Sequence, residues 1–380
     1  MRIAVNTREL LKNRIEGIGR YIFETTKRMV ESHPEDQFYF FFDRPYDRSF
    51  IFADNVTPIV LHPQARHPIL WYLWFEWSVP YYLKKLKIDV FYSGDTYASL
   101  RTNVPTLLIC HDIAYKHYPD HVRKSHLKYY RRNFPKFHHK AQHIVAVSEY
   151  TRKDIIETYQ LDSDKITVGH NATPNGFKPI NEKSKLIIRN NISEGKPYFI
   201  YVGSLHPRKN VVNLIKAFDL FKSTYNTSHK LVLVGRMAWK NEILKKTYQT
   251  TKHREDIIFT GHLSTGLADY MAAAEALTYV SLFEGFGIPI LEGMSSGIPV
   301  ITSNISSMPE VAGDAALLVD PKNPKSIADA MYKVVNDKNL RADLIKKGEK
   351  RIGNFSWQKT GSHIYSHLKR IKDDNNSADF

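Results

Sequence analysis

Two glutamates, Glu284 and Glu292, stand with seven residues between them in the run Phe283-Glu284-Gly285-Phe286-Gly287-Ile288-Pro289-Ile290-Leu291-Glu292-Gly293-Met294. Glu284 follows a predicted strand, and Glu292 falls inside the next helix, whose first turn suits Pro289. Gly285 and Gly287 let the backbone approach a ligand closely and aim N–H groups at it. The predicted chemistry is two carboxylates gripping hydroxyls while backbone amides grip a phosphate; taken alone, Glu292 also fits a plain helical acid. Upstream, a second strand ends at Gly203, Ser204 follows, a loop delivers Arg208 and Lys209, and a helix begins at about Asn210. Two cations meeting a helix N-terminus suit a diphosphate. A solvated loop with Asn210 as the helix cap is the plainer alternative.

Other groups carry less specific signals. Gly17 and Gly19 form a glycine-rich turn before a helix, and His111 stands at a strand end. Either position also fits a packing turn or a hydrogen-bonded histidine with no ligand. Asp162-Ser163-Asp164 spells an Asp-x-Asp sequence, but turn and capping chemistry explain it. His138, His139 and His143 fall on one helical pattern without an acidic partner at ligand spacing, so no metal is expected. Residues 69–87 hold Trp71, Trp74 and Trp77, then Lys84, Lys85 and Lys87. That stretch reads either as an interfacial helix or as a helix buried under the sheet. Arg123, Lys124, Lys128, Arg131, Arg132 and Lys136 form a second basic face, suited to acceptor docking or simply solvated.

Short β-rich runs alternate with amphipathic helical patterns to position these groups. Strands are expected at 3–5, 38–42, 57–62, 89–93, 106–111, 143–148 and 165–170. A second set falls at 198–202, 230–234, 257–260, 277–281, 300–302 and 316–319. Continuous apolar runs such as Leu231-Val232-Leu233-Val234 mark strands covered on both faces. Strand–helix alternation implies parallel sheets with right-handed crossovers. The expected organisation is an N-terminal acceptor-binding domain at 1–172, a hinge at 173–196 and a nucleotide-sugar-binding domain at 197–355. A C-terminal helix at 356–380 is expected to cross back to the first domain. Ligands of open α/β sheets bind at the carboxyl ends of strands, which places the expected site between the halves.

The chain has 380 residues, about two domains' worth. Its 42% hydrophobic and 24% charged composition excludes wholesale disorder. One cysteine, Cys110, rules out a disulfide framework. The first residues lack the apolar core of a signal peptide, and no run matches a spanning helix. Lys+Arg 54 against Asp+Glu 39 leaves +15, a surface that attracts anions. The basic residues are scattered in doublets rather than blocks, which argues against nucleic acid. With its aromatic content, the pattern suits an anionic membrane surface, so a cytoplasmic chain peripheral on the inner face of the cell membrane is expected.

The Glu284–Glu292 block, followed by Ser296-Gly297-Ile298-Pro299-Val300-Ile301 and Met308-Pro309-Glu310-Val311-Ala312-Gly313, resembles the retaining nucleotide-sugar glycosyltransferases of family 4. Gly17-Ile18-Gly19-Arg20-Tyr21, His111-Asp112-Ile113, Ser148-Glu149-Tyr150-Thr151 and residues 202–210 extend the resemblance over most of the chain. It implies an α/β fold of GT-B architecture: two Rossmann-like doubly wound domains facing across a cleft. It also implies hexosyl transfer, mannose-like or N-acetylhexosamine-like, from a nucleotide diphosphate sugar to a lipid-linked or cell-surface saccharide, without metal or other cofactor. By the same resemblance, Glu284 contacts sugar hydroxyls and Glu292 the ribose, while Arg208 and Lys209 hold the diphosphate. Amides of Phe286, Gly287 and Ile288 support the phosphate or the sugar, Gly17 and Gly19 face the diphosphate, and His111 bonds the transferred sugar or its reacting edge. Gly203 and Ser204 line the donor loop, and Arg236, His262 and Leu263 lie near the base. Some members carry arginine where this chain has Ser204, which shifts the cationic burden onto Arg208 and Lys209.

Two rivals are weaker. A dinucleotide oxidoreductase needs a third glycine where Ile22 stands. A basic membrane or nucleic-acid scaffold without catalysis gives no reason for the glutamate block.

Overall fold

The thirteen apolar runs become thirteen strands; the inner strands are buried on both faces, while the edge strands at 56–60, 166–168, 257–261 and 317–319 are partly exposed. The computed structural model describes residues 1–12, 15, 17–236, 242–263 and 265–378. Strands β1 (Arg2–Asn6), β2 (Gln37–Phe42), β3 (Val56–Val60), β4 (Val90–Ser93), β5 (Thr106–Cys110), β6 (His143–Ala146) and β7 (Ile166–Val168) form one sheet. Strands β8 (Tyr198–Val202), β9 (Lys230–Val234), β10 (Ile257–Gly261), β11 (Ala276–Tyr279), β12 (Val300–Ser303) and β13 (Leu317–Val319) form the other. The orders are β3-β2-β1-β4-β5-β6-β7 and β10-β9-β8-β11-β12-β13, with every pairing parallel. Each order reverses once, beside β1 and beside β8. Such a switch point opens a crevice at the strands' carboxyl ends.

The chain divides into two units: Met1–Asn171 with Ser356–Phe380, and Ala172–Phe355. The final helix, Trp357–Ala378, therefore belongs to the first unit, where it packs on the helix Gly17–Ser32. Trp357 meets Tyr21 edge-on at 5.8 Å, and Thr360 Oγ1 donates to the His170 carbonyl at 2.7 Å. Tyr365 donates to Asp36 at 2.7 Å, and the His367 ring stacks on His143 at 3.9 Å.

One face of residues 69–87 is buried under the sheet, as the second of the two sequence readings has it. Helix Pro68–Leu73 runs into a π turn, Trp74–Ser78, and on into helix Val79–Lys85. Trp71, Trp74, Phe75, Val79 and Leu83 enter the core. The indole N–H groups of Trp71 and Trp74 donate to the carbonyls of Ala65 and Leu61. The opposite face stays in solvent.

Candidate active site

The second unit's site grows from the carboxyl ends of β8 and β11. Beyond β8, the Gly203 N–H donates to Val234 O at 2.9 Å, and the Gly235 N–H donates to Gly261 O at 2.8 Å. Three strand ends are thereby held in step past the sheet. At Gly235, with φ +151°, a Cβ would stand 1.8 Å from Gly203 O, so only glycine fits. Ser204 is exposed, and its carbonyl accepts from Tyr201 Oη at 3.0 Å.

The chain then makes a single 3-10 turn, Pro207–Lys209, capped by His206, whose Nδ1 accepts from the Arg208 N–H. Asn210 stands at the start of the next helix in the left-handed region, φ 61° and ψ 27°, and its side chain makes no cap. Its amide instead donates to Val280 O at 2.9 Å and Pro321 O at 2.7 Å. The capping alternative therefore fails: Oδ1, the atom a cap would use, accepts from Asn213 Nδ2 at 2.9 Å, while Nδ2 ties the cation-bearing turn to the ends of β11 and β13.

This arrangement brings Arg208, Lys209 and Glu284 together. Lys209 Nζ lies 2.7 Å from Glu284 Oε1 and 2.8 Å from Tyr279 Oη. Arg208 Nη1 donates to Phe283 O at 2.6 Å and lies 3.3 Å from Glu284 Oε2. Tyr279 donates to Glu284 Oε1 at 2.9 Å. Burial alone would raise the Glu284 carboxyl, but the charges of Lys209 and Arg208 outweigh it and hold the group at about 2. Burial pushes the Tyr279 hydroxyl well up, so it stays protonated and donates. The sequence reading missed Tyr279, since an aromatic residue at a buried strand end reads as core.

The loop after Glu284 is fixed through its carbonyls: Ser307 Oγ donates to both Glu284 O and Phe286 O at 2.9 Å. The Phe286 side chain turns inward and meets Phe355 edge-on at 5.6 Å. Gly287, at φ 102°, precedes the helix Ile288–Ser295, with Pro289 in its first turn. First-turn amides have no partner within their own helix. Glu292 is buried farther along that helix. Arg236, His262 and Leu263 follow β9 and β10; the first two are exposed and Leu263 is half-buried.

The first unit holds the remaining candidates. His111 follows β5, where Nε2 donates to Gly94 O at 2.8 Å and the ring meets Tyr21 edge-on at 5.2 Å. Burial lowers its pKa, so the ring is neutral at pH 7 and its Nδ1 is an acceptor. Gly17 begins the first helix at φ +42°. Gly19 lies where a Cβ would stand 2.5 Å from Glu9 O, so the loop after β1 lies hard against that helix. Asp162 caps the turn Ser163–Lys165 by accepting from the Asp164 N–H at 3.0 Å. His138 and His143 do not cluster: His138 bonds Phe134 O, while His143 stacks on His367.

Two parallel sheets, each in its own unit, give the chain the GT-B architecture. The structure of Anabaena HepE in complex with UDP and glucose shares the fold at TM-score 0.76 and 15% identity, covering 97% of this chain and 99% of that one. The description "Glycosyltransferase Family 4" matches residues 15–174, and "Glycosyl transferases group 1" matches residues 182–351. The O-antigen chain mannosyltransferase RfbU of Salmonella typhimurium is 30% identical over 284 residues, 74% of each chain. The Escherichia coli O-antigen chain mannosyltransferase B is 26% identical over 375 residues, 96% of this chain and 98% of that one. The chain belongs to the GT-B glycosyltransferases of family 4, and is a nucleotide-sugar glycosyltransferase.

Proposed function

We propose that this enzyme moves a hexose, mannose-like or N-acetylhexosamine-like, from a nucleotide diphosphate sugar to a hydroxyl of a lipid-linked or cell-surface saccharide at an anionic membrane. The transfer retains the anomeric configuration. The observation that carries the reading is the Arg208–Lys209–Glu284–Tyr279 cluster at the strand ends, beside the N-terminus of the helix Ile288–Ser295. The O-antigen mannosyltransferases named above support a mannose-like sugar. The net charge of +15 supports the anionic surface.

In this reading Arg208 and Lys209 neutralise charge that develops on the departing diphosphate, aided by the amides of Phe286, Gly287 and Ile288. Glu284, held ionised by its two cations, accepts hydrogen bonds from sugar hydroxyls rather than serving as a general acid. Its oxygens are already engaged by two cations and Tyr279, which makes it a poor nucleophile. Retention then proceeds without a covalent sugar–enzyme intermediate. The acceptor oxygen bonds to the anomeric carbon as the carbon–phosphate oxygen bond breaks, and the acceptor proton passes to that phosphate oxygen. His111 would hydrogen-bond the transferred sugar, with Gly17 and Gly19 facing the diphosphate. Gly203 and Ser204 line the donor loop, Glu292 holds the ribose, and Arg236, His262 and Leu263 surround the base.

Donor turnover followed by nucleotide release and by NMR of the product anomer tests the reading. Transfer is expected to persist in excess EDTA, because two fixed side-chain cations do what a divalent ion would do. Complete loss that Mn²⁺ or Mg²⁺ restores contradicts the metal-free mechanism, and an inverted product contradicts retention.

Glu292→Gln is expected to weaken nucleotide diphosphate binding with little change in kcat. A charged hydrogen bond to a remote donor group is made equally in ground and transition states. Its loss costs roughly 1.5–3 kcal/mol, about 10- to 150-fold in affinity. Unchanged affinity in a folded variant removes Glu292 from the ribose role.

A further inference from the structure

Eleven large hydrophobic side chains stand exposed among the described residues, and five of them fall within thirteen residues of one helical stretch. Ile69, Tyr72, Leu73, Trp77 and Tyr81 are 38–65% exposed, while Trp71, Trp74, Phe75, Val79 and Leu83 on the same stretch are buried. Four of the exposed residues, 69, 73, 77 and 81, recur every fourth position. In an unbroken α-helix a four-residue repeat drifts by about 40° at each step, so the set would wind away from one face. The π turn Trp74–Ser78 carries more residues per revolution and turns the drift back. The bulge thus gathers the exposed side chains into one stripe.

Along residues 66–87 every exposed charged side chain is basic. Arg66, Lys84, Lys85, Lys87 and Arg101 are exposed, and the Arg101 guanidinium lies 4.2 Å above the Trp77 ring. Between residues 66 and 87 the single acid is Glu76, which is buried and accepts from the Leu100 N–H through both oxygens. Tryptophan and tyrosine with lysine at the margin is the chemistry of a bilayer's headgroup layer, where the rings enter the acyl boundary and the cations meet phosphate.

We propose that the exposed face of residues 68–87 is the surface by which this enzyme docks on anionic lipid. The proposal rests on the membrane reading given above and assigns it to particular side chains. Trp77 and Tyr81 insert, and Lys84 and Lys85 hold the phosphates.

Co-sedimentation of the full-length protein with vesicles of phosphatidylglycerol and phosphatidylcholine, against phosphatidylcholine alone, tests it. The wild type is expected to bind the anionic vesicles and to be released as salt rises, since exposed charges are screened over ~8 Å at physiological ionic strength. Trp77→Ser with Tyr81→Ser is expected to lose at least tenfold in apparent affinity, with melting temperature and turnover on a soluble saccharide unchanged. Lys84→Glu with Lys85→Glu is expected to abolish the preference for anionic vesicles. Leu186→Ser with Ile187→Ser, an exposed apolar pair on the helix Glu182–Ser193, is expected to bind as the wild type does. A wild type that ignores anionic vesicles overturns both the membrane reading and this assignment. Strong wild-type binding that survives in both the aromatic and the lysine variants overturns the assignment and leaves the membrane reading standing. A wild-type dimer by light scattering that the aromatic variant dissolves, with vesicle binding intact, gives the face to a second copy instead.

Discussion

Lys209→Met is expected to lower kcat by about 10²–10³-fold, the usual effect of removing one preorganised charge from a transition state. The substitution removes the cation 2.7 Å from Glu284, leaving Arg208 as its counter-charge at 3.3 Å. Burial then gains weight, and the Glu284 pKa climbs from about 2. The sign of the pH effect follows. A carboxyl depressed by folding stabilises the native state above its unfolded pKa, near 4.3, and that contribution fades as pH falls toward the folded value. In Lys209→Met the loss occurs at higher pH, so acid unfolding begins earlier than in the wild type. Steady-state kinetics and an acid titration of far-UV circular dichroism measure the two effects together. Glu284→Gln is expected to lower kcat comparably, and the double variant to fall well short of the product of the two losses, because both act through one contact. Wild-type turnover from a folded Lys209→Met enzyme would falsify the diphosphate role.

Gly235→Ala is expected to destabilise the second unit by about 3 kcal/mol or more. The new Cβ would meet a backbone oxygen at 1.8 Å, and φ +151° strains any L side chain. Relief by sliding is blocked, since Gly203 is held by Val234 and Gly235 by Gly261. At ~2–4 °C per kcal/mol for a domain of this size, melting should drop by roughly 6–12 °C. The same displacement would move Gly203 and Ser204, so the surviving folded fraction should also bind nucleotide diphosphate more weakly. Calorimetry with and without the diphosphate separates the two effects.

The strands were legible because both sheets are wholly parallel and their inner strands are covered on each side. Runs such as Leu231–Val234 and Leu107–Cys110 carry no solvent face to interrupt them. Glu284, Arg208 and Lys209 were legible as chemistry, but their meeting was not. Glu284 lies 75 positions from Lys209 and 76 from Arg208, and the spacing of neither segment reports on the other. Tyr279 was hidden for a related reason: its hydroxyl matters only because β11 ends beneath Lys209. Asn210 misled because asparagine before a helix ordinarily caps it. Here the oxygen that would cap accepts from Asn213 Nδ2 instead, and two carbonyls from distant loops hold Nδ2. The π turn left no mark either, since residues 68–85 keep a helical alternation of apolar and polar positions throughout.

The return of the last helix to the first unit sets the order in which the molecule can be completed. The second unit is one continuous segment, Ala172–Phe355, and its fold closes as soon as that segment has been made. The first unit begins earlier and must wait, because the seam against Tyr21, Asp36 and His143 is filled by Trp357, Tyr365 and His367. At about 5–20 residues per second, the interval between Asn171 and Ser356 leaving the ribosome is roughly 10–40 s. Throughout that interval the helix Gly17–Ser32 shows the nascent chain an uncovered face. The unit translated first is therefore the last to mature, and losing residues 356–378 injures that unit rather than the one made after it.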